Sequence, residues 1–156
     1  MVDVSIRPAG DGDAGELWTL QRAAYVSEAQ LYGDPRLPPL TQTLGELRDE
    51  LANGPALVAS VGPRIIGSAR ARVVDRILHI GRIIVAPDLQ GQGVGTRLLT
   101  EIELLGAGAV DRFALFTGHL SLGNIRLYER LGYREDRREP AGPGLVLVHL
   151  AKSAPA

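Results

Sequence analysis

The run Gln90-Gly91-Gln92-Gly93-Val94-Gly95 follows the apolar stretch Ile83–Val85 and Pro87 and leads straight into the amphipathic stretch Thr96–Leu105. That order describes a strand delivering a bare backbone loop to the first turn of a helix. Glycines at alternate positions remove the Cβ atoms that would hold a ligand off the main chain, and the first helical N–H groups lack intrahelical partners. Such donors, at the positive end of a helix dipole, favour a phosphate or diphosphate. The loop is not a dinucleotide fingerprint, because Thr96 stands where a third glycine would fall after Gly91 and Gly93, and it lacks the lysine of a P-loop. What remains is Gln-x-x-Gly-x-Gly, with Gln90, Gly93 and Gly95 at the fixed positions.

The rest of the chain sorts into short elements by period. Val4 and Ile6 suggest an opening strand stopped by Pro8. Asp13 with Glu16 resembles a capping box, and Leu17, Trp18, Leu20, Ala24 and Tyr25 recur at helical spacing, predicting a helix over residues 13–29. Residues 32–42, with Asp34, Pro35, Pro38 and Pro39, read as a stiff irregular link before a second capping box, Thr43 and Glu46, that opens a helix to Ala52. Residues 56–61, 65–74 and 77–85 are β-branched runs joined by tight links, hence sequential antiparallel strands. After the helix of Val94, Leu98, Ile102 and Leu105, residues 113–117 form a strand, and Leu122, Ile125, Tyr128 and Leu131 line a helix that Gly132 stops. Residues 133–138 and 145–150 close the sheet. The fold class is therefore α/β (α+β): a single domain over residues 1–152, with a mixed, mostly antiparallel central sheet of seven strands flanked by four helices. Residues 153–156 are expected to be a disordered tail.

Composition narrows the function classes. At 156 residues the chain suits one core, and 17 basic against 18 acidic side chains give a net charge of −1, which argues against nucleic acid as the partner. No apolar run reaches membrane-helix length and the N-terminus lacks an apolar signal region, so no membrane partner is expected. The absence of cysteine excludes a thiolate nucleophile and fits a reducing, cytoplasmic setting. Three scattered histidines offer no metal-ligand spacing. The arginines from Arg126 to Arg138 are interleaved with Glu129, Glu135, Asp136 and Glu139, a self-paired surface rather than a basic patch.

A second signature follows the glycine loop: Ser121-Leu122-Gly123-Asn124-Ile125-Arg126-Leu127-Tyr128-Glu129-Arg130-Leu131-Gly132-Tyr133. Ile83-Ile84-Val85-x-Pro87, then Gln-x-x-Gly-x-Gly, then Leu-Tyr-Glu-x-Leu-Gly-Tyr together resemble the GCN5-related N-acetyltransferase (GNAT) family, along nearly the whole chain. The resemblance implies acetyl-coenzyme A as donor and a primary amine as acceptor, and the balanced charge and the proline-rich segment 32–42 favour an amine of a small molecule. It places the diphosphate of coenzyme A on the main chain of Gly91, Gln92, Gly93, Val94, Gly95 and Thr96, beside Gln90, and the pantetheine arm along Ile83, Ile84 and Val85. The family's bulge in that strand is permitted here by Gly81. Tyr128 takes the position of the tyrosine that protonates the departing thiolate. Where the family carries asparagine seven residues before that tyrosine this chain has Ser121, so Asn124, four before it, ranks ahead of Ser121 as a cofactor contact. His79 stands where many members carry a glutamate base, and a histidine of ordinary pKa accepts a proton near neutrality. Glu28, Tyr32 and Asp34, in the segment that covers the acceptor in this family, and His119 beyond the strand at 113–117 are the candidates to touch the acceptor. Two other readings stay open: a non-catalytic acyl-coenzyme A binding or sensing domain, and transfer to a protein N-terminus or lysine. The apolar strand at 145–150 is a candidate edge for a homodimer.

Overall fold

The computed structural model describes residues 3–156, and these form seven strands in one sheet. Strand β1 (Ser5–Pro8) is followed by helix α1 (Ala14–Tyr32), a short turn of helix α2 (Pro38–Thr41) and α3 (Leu44–Ala52). Then come β2 (Ala56–Val61), β3 (Arg64–Val74), β4 (Ile77–Val85), α4 (Val94–Gly106), β5 (Arg112–Gly118), α5 (Leu122–Arg130), β6 (Arg134–Pro140) and β7 (Val146–Ser153). The spatial order is β1-β2-β3-β4-β5-β7-β6, and every neighbouring pair is antiparallel except β4 with β5. No helix among the described residues is long and apolar enough to cross a membrane.

Two antiparallel halves therefore meet at one parallel seam, and that seam is short. Only Ile77, Leu78 and His79 of β4 pair with Arg112, Phe113 and Ala114 of β5. Beyond them the strands part. On its other side β4 stays paired with β3 but carries one extra residue: Ser68 and Arg70 face Ile84 and Gly81, with Arg82 and Ile83 opposite Ala69. Arg82 sits at φ 52°, left-handed for a residue with a Cβ. The bulge that Gly81 and the run after it permit is formed by Arg82 and Ile83, where β4 parts from β5.

The sheet is covered on both faces. Gly67 of β3 lets α4 come close, since a Cβ there would lie 3.1 Å from Leu98 and 3.3 Å from Val94. Leu98, Leu99 and Ile102 bury the apolar side of α4 against β2–β4. Arg70, three residues on and so on the opposite face, reaches α1 and α3: its Nη2 donates to Gln21 at 2.7 Å and its Nε lies 2.9 Å from Glu50. Gln21 is fully buried and its amide also donates to Pro39 O and Gln42 Oε1, both at 2.9 Å.

Several local expectations change. The second capping box forms as read, Glu46 N–H to Thr43 Oγ1 and Thr43 N–H to Glu46 Oε1. The first does not: Asp13 is held by Arg7 and the Gly10 N–H, while Glu16 accepts from Ile65 N–H in β3 at 2.6 Å, so tertiary partners outbid the local cap. Helix α1 runs to Tyr32, three residues past its expected end, and stops at Gly33 with φ 62°. The irregular link contains α2, started by Pro38 at its first position. Residues 145–150 do not offer an edge, because β7 lies between β5 and β6; the edge is β6, whose residues are nearly all charged. Strand β7 runs to Ser153, which pairs with Arg112 of β5, and Ala154 N–H donates to Asp111 O.

Candidate active site

The parting of β4 from β5 opens a cleft of about 820 Å³. Its walls are Ile80–Val85 on one side and Leu115–Gly118 on the other, closed by α1, α2, the glycine loop and α5. Because β4 has no strand partner there, its outer backbone edge is free for an extended ligand to pair with.

At one end stands the glycine loop. Gly91 and Gly93 have φ of 78° and 82°, the left-handed region where a Cβ is unfavourable, and Gly93 is the N-cap of α4. The first backbone bond of the helix is Arg97 N–H to Gly93 O, so the N–H groups from Gly91 to Thr96 find no backbone acceptor among the described residues. Gln90 Nε2 donates to Val85 O at 3.2 Å and ties the loop to the strand end. The arrangement leaves free donors at a helix start, the geometry that suits an anion, with a slot leading away from it.

The slot runs to Tyr128. Its ring is 7% exposed, packed edge-on to Tyr133, with centroids 6.2 Å apart. Its hydroxyl makes no hydrogen bond among the described residues. Burial above all, with Tyr25 and Glu28 adding, pushes the phenol well above the ordinary tyrosine value, so it is a protonated donor without a partner. Asn124, one turn earlier, lines the cleft and donates to Thr117 Oγ1 at 3.3 Å, fixing α5 to β5.

Beside Tyr128 lies a directed chain of hydrogen bonds. Leu120 N–H donates to Tyr32 Oη at 3.0 Å, and Ser121 Oγ–H donates to Glu28 Oε2 at 2.7 Å. With the serine proton spent on the carboxylate, the 2.8 Å contact between Tyr32 and Ser121 has the phenol as donor. Ser121 is at the N-cap of α5, as its sequence position suggested, but its hydroxyl serves this chain and makes no cap bond. Gly118 makes room for the arrangement, because a Cβ there would overlap the Tyr32 ring.

The fold thus gathers Ile83, Ile84, Val85, Gln90, Gly91, Gly93, Val94, Gly95, Thr96, Asn124, Tyr128, Glu28 and Tyr32 around one cleft. Gln92 is exposed on the loop and outside the lining, and Ser121 sits behind Glu28 and Tyr32. Asp34 also lies outside; its carboxylate accepts from Arg36 N–H. His119 packs tilted against Tyr32, ring centroids 5.9 Å apart, and its Nδ1 accepts from Val146 N–H, so it supports the wall without lining it. His79 faces a second cavity of about 860 Å³ on the α3 side of the sheet, which shares Ile80, Gly81, Arg82, Leu115 and Phe116 with the cleft. Burial first, then Arg72, lowers its pKa below the ordinary histidine value, leaving it neutral at pH 7. Sequence reasoning missed Tyr25, Arg82 and Gly118. Tyr25 was read only as part of an apolar stripe, and nothing local marks an arginine as the residue of a bulge.

The family model described as Acetyltransferase (GNAT) family matches residues 16–133. Among solved structures, an acetyltransferase of GNAT family from Streptococcus pneumoniae superposes with a TM-score of 0.81 at 18% identity, covering 98% of this chain and 100% of that one. The ribosomal-protein-S18-alanine N-acetyltransferase from Escherichia coli gives 0.78 at 20% identity, with 97% and 94% covered. The PaiA N-acetyltransferase from Thermoplasma acidophilum, in complex with coenzyme A, gives 0.78 at 16% identity, with 95% and 98% covered. No curated protein matches the sequence at a significant level. Likeness at these identities establishes the fold, and the family model, spanning well over half of the chain, places it by sequence: the chain belongs to the GNAT family of acetyltransferases.

Proposed function

We propose that the chain transfers an acetyl group from acetyl-coenzyme A to a primary amine of a small molecule, by direct attack within a ternary complex. The observation that carries this reading is the continuous cleft from the free N–H groups of Gly91–Thr96, along the unpaired edge of β4, to the unpartnered hydroxyl of Tyr128. The residues fit the donor by chemistry. The cradle suits a diphosphate, the open strand edge suits an amide-bearing arm, and Asn124 stands on the wall between them. Tyr128 would give its proton to the departing thiolate, and burial keeps that proton in place until it is needed. Glu28, beside it, would hold the amine. His79, neutral at pH 7, would take the amine's proton through solvent in the second cavity. The α1–α2 segment roofs the cleft with Leu37, Pro38 and Pro39, which favours a small acceptor over a protein chain.

The test is release of coenzyme A thiol from acetyl-coenzyme A across a panel of small amines and peptides, with product masses recorded. Acetylated small amines are expected. Tight coenzyme A binding with transfer to no acceptor would turn the reading to a sensing domain, and transfer only to peptides would turn it to protein acetylation.

A further inference from the structure

Arg82 is a charged group of the cleft whose chemistry the transfer reaction does not use. It stands at the bulge of β4 in a left-handed conformation and lines both the cleft and the second cavity. Its Nε is buried without a hydrogen-bond partner, and it forms no ion pair among the described residues. Arg70, its neighbour on the same side, also has a buried Nε without a hydrogen-bond partner, but its charge is countered by Glu50 at 2.9 Å and its Nη2 donates to Gln21. A guanidinium stays charged at any working pH, so a buried donor of this kind calls for an anion, and its planar fork suits a carboxylate. Backbone held in a sparsely populated region at a binding cleft is a further sign that the placement of this side chain is maintained by the surrounding fold.

What lies around it limits the anion. The Tyr25 side chain hydrogen-bonds to Arg82 and interacts electrostatically with Glu28, so the phenol marks the ground between a cation and a carboxylate while the buried Nε of Arg82 stays without a partner. Tyr128 in turn feels Tyr25 and the Glu28 carboxylate. A polyanion at Arg82 would meet Glu28, a like charge. A ligand that carries an ammonium and a carboxylate would satisfy both ends and leave its nitrogen next to Tyr128.

We infer that the acceptor is a zwitterionic aminocarboxylate, its carboxylate held by Arg82 and its ammonium by Glu28. The inference rests on the acetyl-transfer reading for the identity of the reacting nitrogen, but its binding half stands apart from turnover. The test is isothermal titration of the full-length protein, saturated with coenzyme A, with free α-amino acids and with their matching primary amides. Acids should bind at least ~10-fold tighter than amides to the unaltered protein, in keeping with a hydrogen-bonded charge pair. Arg82→Gln should erase that preference and Arg82→Lys should restore part of it. Glu28→Gln should weaken acids and amides alike, since both carry the ammonium. Equal binding of acid and amide, or a preference that survives in Arg82→Gln, overturns the inference. Should Arg82→Gln fail to fold, the acid-to-amide comparison on the unaltered protein and the Glu28→Gln titration decide it. Acid-selective binding with no acetyl transfer would refute the transferase reading alone. Transfer that ignores the carboxylate would refute this inference alone.

Discussion

Tyr128 and His79 make opposite demands on their surroundings. Burial raises the first and lowers the second, and in each case the neutral form is favoured. For Tyr128 that form is the proton donor, so Tyr128→Phe should lower kcat about 100-fold, the usual scale for a lost general acid, while the KM for acetyl-coenzyme A changes little. Steady-state kinetics with acetyl-coenzyme A varied decides it; an unchanged kcat would leave Tyr128 as a core aromatic. For His79 the neutral form is the proton acceptor. Its native pKa lies below the ordinary 6.5, so activity should be retained through neutrality and fall only as the pH drops past that lowered value. His79→Ala should flatten this acid limb in a profile of kcat/KM against pH. If the limb persists unaltered, another group accepts the proton.

At the scale of the element, the loop into α4 separates two uses of glycine. Gly93 needs its left-handed φ of 82°, and no atom crowds the place of a Cβ. Gly93→Ala should therefore cost about 1–2 kcal/mol of stability through backbone strain and raise the KM for acetyl-coenzyme A as the cradle deforms. Gly95 lies inside the helix with no positive φ, and a Cβ there would meet Leu127 and Val85 at ordinary contact distances, 3.9 and 4.0 Å. Gly95→Ala should leave the melting temperature level or raise it, by up to about 1 kcal/mol of helix propensity. Any loss of affinity for acetyl-coenzyme A in that variant then reports on how closely the ligand approaches the main chain. Thermal melts paired with coenzyme A titrations separate the two outcomes. β4 shows why such elements are only partly readable. Its length and apolar pattern were legible, but the bulge belongs to the pairing with β3, and Arg82 offers no local sign of it.

Across the whole molecule, Gln21 joins layers that the chain order keeps apart. Its side chain links α1 to the α2 segment through Pro39 and Gln42, and to β3 through Arg70. Gln21→Leu keeps the burial but strands an arginine donor and two carbonyl oxygens, and should cost about 2–4 kcal/mol in chemical denaturation. It should also raise the KM for the acceptor, because the roof of the cleft loses its anchor. A variant as stable as the original would show that water replaces these bonds. The sequence alone was enough for the order of the strands and longer helices, the antiparallel run from β2 to β4, the glycine loop at the start of α4 and the helix carrying Tyr128. Each of these rests on local period, glycine placement or capping within a few residues. Other features came only with the tertiary structure: the parting of β4 from β5, the use of Glu16 and Ser121 by distant partners, the interior place of β7, and the placing of Glu28 and Arg82 on the wall of one cleft. Those depend on which strands become neighbours and where a register slips, and such contacts between residues tens of positions apart leave no periodic trace in the chain.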